Sequence, residues 1–244
     1  MTGMNFFTYI SDLLFPPKCI YCEKVLPPTS RPFICSGCAE DIPYLEIVCC
    51  KCGSRFHFQE GRPVCATCKI AGRHYDGAVA SAKYGDNVRK ALLKYKYSYQ
   101  SYMAQPLSHF LLKTLKELGF SPANLDYVTS VPCDAERENL RGFDHAGLIA
   151  RAVAAGLKIP YKKQILSKIK RTRPQSGMNT VKRSENVRGA YKVLVKKEIQ
   201  NKRILLIDDI FTTGVTAMEV SKILKRAGAS YVFVATTAKT EIKF

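Results

Sequence analysis

The stretch that most constrains the fold is residues 204–216, which reads Ile-Leu-Leu-Ile-Asp-Asp-Ile-Phe-Thr-Thr-Gly-Val-Thr. It begins with four consecutive apolar residues, which is typical of a parallel strand buried on both faces. Asp208 and Asp209 follow at once, and after a small polar loop the apolar residues recur at helical spacing as far as Gly228. The stretch therefore predicts a strand, a short loop and a helix, an arrangement that places ligands at the carboxyl end of the strand.

The loop of this stretch has the chemistry of an anion site. Main-chain N–H groups at the start of a helix attract anions, threonine hydroxyls add donors, and Gly214 allows close approach of the backbone. Two adjacent carboxylates at the end of a buried strand are costly unless they have partners. We therefore predict an anion cradle beside a pair of carboxylates that bind hydroxyl groups. The alternative is that the threonines only cap the helix. The spacing is not that of a Walker A loop.

Nine of the ten cysteines lie between Cys19 and Cys68; eight of them form four C-x-x-C pairs, and Cys50 is surplus. Twelve residues separate the second and third cysteine in each half of this segment, so the halves form an internal repeat. This spacing predicts two structural Cys₄ zinc sites, since all four positions around each ion are filled. An interleaved pairing is a second arrangement that the spacing allows, and disulfides or unligated thiols are a third. The candidate ligands are Cys19, Cys22, Cys35, Cys38, Cys49, Cys52, Cys65 and Cys68.

The charge is high and unevenly distributed. Formal net charge is +18, and residues 162–203 hold 14 basic against 2 acidic residues, 14 − 2 = +12. Such a balance favours anionic partners, namely phosphates or nucleic acid.

Paired cysteines without an export signal, and the absence of a membrane-length apolar run, predict a cytoplasmic protein with no membrane span. Residues 167–190 show no clear periodicity and are predicted to be a mobile loop.

Strands and helices are expected to alternate after residue 76, which predicts a parallel sheet flanked by helices. We predict strands at 77–84, 126–131, 203–208 and 231–237, and helices at 6–15, 86–97, 101–118 and 145–157. The domain boundary is placed so that residues 1–73 hold a helix and a double zinc ribbon, and residues 74–244 hold the α/β domain.

Residues 204–216 resemble the thirteen-residue phosphoribosyl pyrophosphate (PRPP) motif of type I phosphoribosyltransferases. The resemblance implies the fold of that class, behind an N-terminal cysteine-rich module. It also implies that Asp208 and Asp209 hold the ribose hydroxyls. The loop that would hold the 5′-phosphate comprises Thr212, Thr213, Gly214, Val215 and Thr216.

More of the chain resembles the ComF family of late-competence proteins. Val131-Pro132 is followed by Arg141-Gly142-Phe143, although Asp144-His145 stand where the family usually has Asn-Gln. The resemblance implies a catalytic set of Asp208, Asp209 and Arg141, in which Arg141, or Arg171 and Arg173 in its place, neutralises the pyrophosphate. It also makes the basic stretch a lid over PRPP, carrying Arg171 and Arg173. His145 is either a functional side chain or one that packs or caps a helix.

Family resemblance implies a Mg²⁺-dependent PRPP-binding transferase of unknown acceptor, with a role in DNA uptake and in handling incoming single-stranded DNA. Other competence, replication or recombination proteins are implied partners. The alternatives are a phosphoribosyltransferase of purine or nucleotide metabolism and a regulator that binds PRPP without turnover. Lysines alternate with tyrosines from Lys94 to Tyr99, as in surfaces that bind single strands. The alternative for that run is a helix with half-buried tyrosines and solvated lysines.

Overall fold

The computed structural model of this protein describes residues 6–42, 49, 51, 64–65, 68–69, 72–134, 136, 138–139, 142–172 and 180–240. The helices are α1 (Phe6–Leu14), α2 (Ser36–Asp41), α3 (Asp86–Tyr97), α4 (Ala104–Glu117), α5 (His145–Leu157), α6 (Thr180–Val187) and α7 (Val215–Arg226). The strands are β1 (Gly77–Ala80), β2 (Tyr127–Ser130), β3 (Leu166–Lys168), β4 (Tyr191–Val193), β5 (Arg203–Phe211) and β6 (Tyr231–Lys239). Across these ranges, none of the helices has the length and apolar character needed to cross a bilayer.

Four parallel strands form the central sheet in the order β1-β6-β5-β2. The apolar run from Ile204 to Ile207 lies in β5, between two neighbours, and each of its four residues is 0% exposed. Its last residue, Ile207, is level with Ser130 of β2 and Ala235 of β6. β2 therefore ends where the acidic pair begins, while β5 and β6 continue to Phe211 and Lys239, so the pair lies near the carboxyl edge of the sheet.

Helices cover both faces of the sheet, which explains why β5 is apolar throughout its first half. One core lies under α3, α4 and α5 and includes Leu92, Leu111 and Ile149. The other lies under α7 and includes Val220 and Leu224. The sheet with helices on both faces confirms the predicted α/β class.

The first cysteine segment packs directly onto the α/β core. Ile20 and Tyr21 belong to the same buried cluster as Leu111, and the Tyr21 ring lies 5.9 Å from the ring of Phe110. Glu23 forms an ion pair with Lys94 of α3. The segment is therefore anchored on the face of the sheet that carries α3 and α4.

The basic stretch differs from the prediction of a mobile loop. It contains β3 and α6, and β4 follows it to form an antiparallel hairpin with β3. The hairpin is stabilised through Val187 and Ala190, which are 2% and 0% exposed, and through Gly189, whose N–H donates to Glu219 Oε1 at 2.9 Å. Because the buried residues lie only at one end of α6 and the rest of the helix is charged, its sequence shows no periodic apolar pattern. The helix was therefore not predicted from the sequence. Residues 173–179 lie outside the described residues.

Candidate functional site

A cavity of about 730 Å³ opens at the carboxyl edge of the sheet, around the predicted motif. The end of β5 and the loop before α7 form one wall. Other elements complete it: α3, the loop after β2, the end of β3 and α6. The lining residues that matter for its chemistry are Lys96, Asp134, Lys168, Arg183, Asp208, Asp209, Thr212, Gly214 and Thr216. The fold thus joins the acidic pair, the threonine loop and part of the basic stretch around one space.

The loop before α7 requires a glycine for two reasons. Gly214 has φ +76°, a left-handed conformation that side chains rarely adopt, and a Cβ there would lie 2.5 Å from Phe211 Cζ. Val215 begins α7, so the first-turn N–H groups have no partner within the helix. Thr213 Oγ1 is buried, and among the residues described it has no hydrogen-bond partner. Thr213 and Val215 are not among the lining residues, so the threonines of the loop that face the cavity are Thr212 and Thr216. Hydroxyls beside a helix N-terminus suit a ligand with oxygen acceptors, such as a phosphate.

The acidic pair is held by contacts from three elements. Asp209 donates its main-chain N–H to Asp208 Oδ1 at 2.9 Å, and its carbonyl accepts from Thr237 Oγ1 of β6 at 2.6 Å. Lys96 Nζ lies 2.7 Å from Asp209 Oδ2. Burial and the neighbouring Asp209 charge raise the pKa of Asp208 to about 7. Asp208 therefore carries a negative charge that titrates near neutral pH.

His145 caps a helix and does not act as a solvent-exposed base. It is 3% exposed, and its Nε2 lies 3.1 Å from the carbonyl oxygen of Tyr95 and 3.2 Å from that of Lys96. Carbonyl oxygens only accept, so Nε2 carries the proton and satisfies the C-terminal end of α3. The preceding Asp144 caps α5, since its Oδ1 accepts from Gly147 N–H at 3.0 Å. Asp144 and His145 therefore each satisfy one helix end.

Of the predicted pyrophosphate residues, only Arg171 is described. Its side chain is 76% exposed, forms an ion pair with Glu136 and does not line the cavity. Lys168 and Thr172 lie there instead, and Lys168 Nζ donates to Thr172 Oγ1 at 2.8 Å. Arg141 and Arg173 lie outside the described residues. The cationic side chains that the structure brings to the cavity are thus partly different from those expected.

Sequence reasoning grouped Lys96 with Lys94 as a nucleic-acid contact and missed its position in the site. Lys96 faces Asp209, whereas Lys94 faces Glu23 on the outside. A signal was present, since Lys96 follows Leu92 and Leu93 at helical spacing, and both leucines line the same cavity.

Cysteine thiols converge in two separate groups. The sulfurs of Cys19, Cys22, Cys35 and Cys38 all lie within 4.8 Å of one another, as do those of Cys49, Cys65 and Cys68. This is the sequential grouping that the equal loops favoured. Cys52, the expected fourth ligand of the second group, lies outside the described residues. Burial and the neighbouring thiols raise the pKa of Cys38 above its usual range, so a nearby cation would favour its thiolate. The donor set fits zinc.

We expect Cys38→Ser to lower the zinc content by about one ion per chain, from about two, because each site needs four thiolates for tetrahedral closure. Metal analysis of the purified protein measures this. Cys133→Ser is the matched control, since Cys133 lies in neither group. Equal zinc in the Cys38 variant and the wild type would contradict the assignment.

We expect Asp208→Asn to raise the free energy of unfolding by about 1–2 kcal/mol at pH 8 and by less at pH 5. The pKa of Asp208 is raised in the folded state, so ionisation at high pH favours unfolding. The amide keeps the oxygen that accepts from Asp209 N–H and removes the charge. Urea denaturation at the two pH values tests this. A variant no more stable than wild type at pH 8 would refute it.

Comparison with known proteins agrees with this architecture. The family model described as a double zinc ribbon domain matches residues 10–69, and the one described as a phosphoribosyl transferase domain matches residues 144–243. Competence protein F of Haemophilus influenzae is 27% identical over 237 residues, which cover 95% of this chain and 97% of that protein. DNA utilization protein YhgH of Salmonella typhi is 25% identical over 228 residues, covering 91% and 96%.

A solved structure also matches, that of glutamine PRPP amidotransferase from B. subtilis complexed with ADP and GMP. It is 21% identical with a TM-score of 0.40, and the match covers 65% of this chain and 31% of that one. The two family models stand in the order expected from the cysteines and the acidic motif, and Competence protein F aligns with almost the whole chain. This chain therefore carries a double zinc ribbon domain ahead of a phosphoribosyl transferase domain, and over almost its whole length it is similar to Competence protein F.

Proposed function

We propose that this protein binds PRPP, or another ribose 5-phosphate ligand, in the cavity at the carboxyl edge of the sheet. The observation that carries the proposal is that one cavity joins the acidic pair, the threonine–glycine loop and two lysines from distant elements. The ligand has matching parts: vicinal hydroxyls, a 5′-phosphate and a diphosphate. No smaller ligand uses all three features.

Each wall of the cavity has a distinct role in this proposal. The loop from Thr212 to Thr216 and the N-terminus of α7 bind the 5′-phosphate through N–H and hydroxyl donors. Asp208 and Asp209 accept hydrogen bonds from the ribose hydroxyls. Lys168 and Arg183, which also line the cavity, neutralise the diphosphate.

The same arrangement suits phosphoribosyl transfer. The bond from ribose C1 to the diphosphate oxygen breaks, the diphosphate leaves with the electron pair, and an acceptor atom bonds to C1. Cationic groups around the diphosphate stabilise the charge that develops there, and fixed hydroxyls keep C1 oriented. Mg²⁺ would supply further charge neutralisation on the diphosphate. Among the described residues, only cysteines form groups of three or more candidate metal ligands, so Mg²⁺ would be brought by the ligand.

We expect Asp208→Asn/Asp209→Asn to weaken PRPP binding at least ~100-fold, because two charge-assisted acceptors are lost, each contributing about 1.5–3 kcal/mol. Isothermal titration calorimetry with PRPP and Mg²⁺ measures this. Asp41→Asn, an exposed residue of α2, is the control for loss of charge. Wild-type protein that binds no PRPP would refute the proposal.

Pyrophosphate release separates an enzyme from a sensor. With PRPP and a panel of nucleobases, nucleosides and single-stranded DNA ends, release above the uncatalysed rate supports transfer. Binding without release under every condition supports a regulator that senses PRPP.

We further propose that the protein contacts single-stranded DNA through the aromatic rim of the cavity. Tyr97 and Tyr99 line the cavity and are 65% and 70% exposed, an arrangement suited to base stacking. Lys94 and Lys96 are engaged by Glu23 and Asp209, so the lysines of this run contribute less than the alternation suggested. The net charge of +18 and the names of the relatives, competence protein and DNA utilization protein, support the same partner.

We expect Tyr97→Ala/Tyr99→Ala to weaken binding of a single-stranded oligonucleotide by about tenfold or more, since each stacked base contributes about 1–3 kcal/mol. Fluorescence anisotropy at several salt concentrations measures this. Tyr9→Ala, an exposed tyrosine of α1, is the matched control. The Asp208→Asn/Asp209→Asn variant should keep its DNA affinity. Unchanged affinity for the oligonucleotide in the double tyrosine variant would refute the proposed role of the aromatic rim in DNA binding.

A further inference from the structure

Lys96 reaches the acidic pair from the last turn of α3, an element outside the motif. Its Nζ lies 2.7 Å from Asp209 Oδ2, and the two side chains are 18% and 17% exposed. Water therefore screens this contact only partly. Lys94, two residues earlier, pairs with Glu23 through side chains that are 42% and 61% exposed. Partly buried charges interact more strongly than exposed ones, so the ion pair of Lys96 is stronger than that of Lys94.

The end of α3 is held so that Lys96 has little freedom. Tyr95 donates its hydroxyl to the carbonyl oxygen of His145 at 2.8 Å, and His145 Nε2 donates to the carbonyls of Tyr95 and Lys96. The rings of Tyr95 and His145 lie 5.0 Å apart, and Phe143 packs on both. These contacts fix the main chain of residue 96 from both sides, so the ammonium group is directed at the acidic pair.

We propose that Lys96 is a positioning residue, the counter-ion that favours the ionised form of the acidic pair and holds Asp209 in one orientation for the hydroxyls of the ligand. The part that concerns the ligand rests on the proposed PRPP site. The counter-ion role does not, because it is a property of the protein alone.

Two adjacent, partly buried carboxylates oppose each other's ionisation, and a nearby cation offsets this. Burial and Asp209 raise the pKa of Asp208, whereas Lys96 and Lys168 lower it. Without Lys96 the pKa of Asp208 rises further, and a larger fraction of this carboxyl is protonated at neutral pH. Other charged or titratable groups around the pair are Tyr84, Tyr95, Tyr97, Tyr99, Cys133, Asp134, Asp144, His145, Lys168, Arg183, Tyr191 and Lys239. All of them are unchanged in the variants below.

The direct test is a carboxyl ¹³C NMR titration of aspartate-labelled protein between pH 4 and pH 9. We expect Lys96→Met to raise the titration midpoint of the pair by about one pH unit or more, Lys96→Arg to keep it near wild type, and Lys94→Met to leave it unchanged. Circular dichroism and zinc content establish that each variant is folded. An unchanged midpoint in folded Lys96→Met protein overturns the proposal.

The pH dependence of PRPP binding is the second readout. We expect its midpoint to move to higher pH in Lys96→Met by the same amount. A uniform loss of affinity at every pH, with an unmoved midpoint, would make Lys96 a direct phosphate contact and overturn the positioning role. Wild-type protein that binds no PRPP would refute the proposed function, and the carboxyl titration would still decide whether Lys96 is the counter-ion.

Discussion

Two adjacent carboxylates stand at the end of a strand that is buried on both faces, and the elements around them are arranged to satisfy this charge. Asp208 accepts from the main chain of Asp209, and Asp209 receives Lys96 from α3 and Thr237 from β6. No single segment could supply these partners. The site therefore exists only when α3, β5 and β6 are assembled.

The ribbon and the transferase domain meet on the same side of the sheet as the element that carries Lys96. Tyr21 packs on Phe110 of α4, and Glu23 pairs with Lys94 of α3. The buried cluster that contains Tyr21 also contains Tyr95, whose hydroxyl and ring hold the start of α5. The first cysteine segment thus supports the helix that completes the cavity, through apolar contact and through the ion pair between Glu23 and Lys94.

Several elements could be predicted closely because local pattern and tertiary environment agree. The helices at 86–97 and 145–157 have the expected limits, since apolar spacing and caps coincide there. β5 extends to Phe211, beyond the predicted end at 208, because its last residues pair with Ala238 and Lys239 of β6. The helix at Thr180–Val187 was missed, since its apolar contacts lie at one end and the rest is charged. The pairing of β5 with β6 and the burial of one end of this helix both depend on residues that are distant in the sequence.

By itself the sequence determined the chemistry of the motif, namely an apolar strand, two carboxylates and a threonine–glycine loop. It also determined the eight paired cysteines. Each of these features could be predicted because it depends on neighbours within a few residues. Only the tertiary structure decided which distant groups surround that motif. It assigned Lys96 to Asp209 and Lys94 to Glu23, although the two lysines are two residues apart in one basic run. It also placed His145 at the end of α3. The physical reason is that a side chain's charge is local, whereas its partner and its screening are set by the packing of elements that are far apart in the chain.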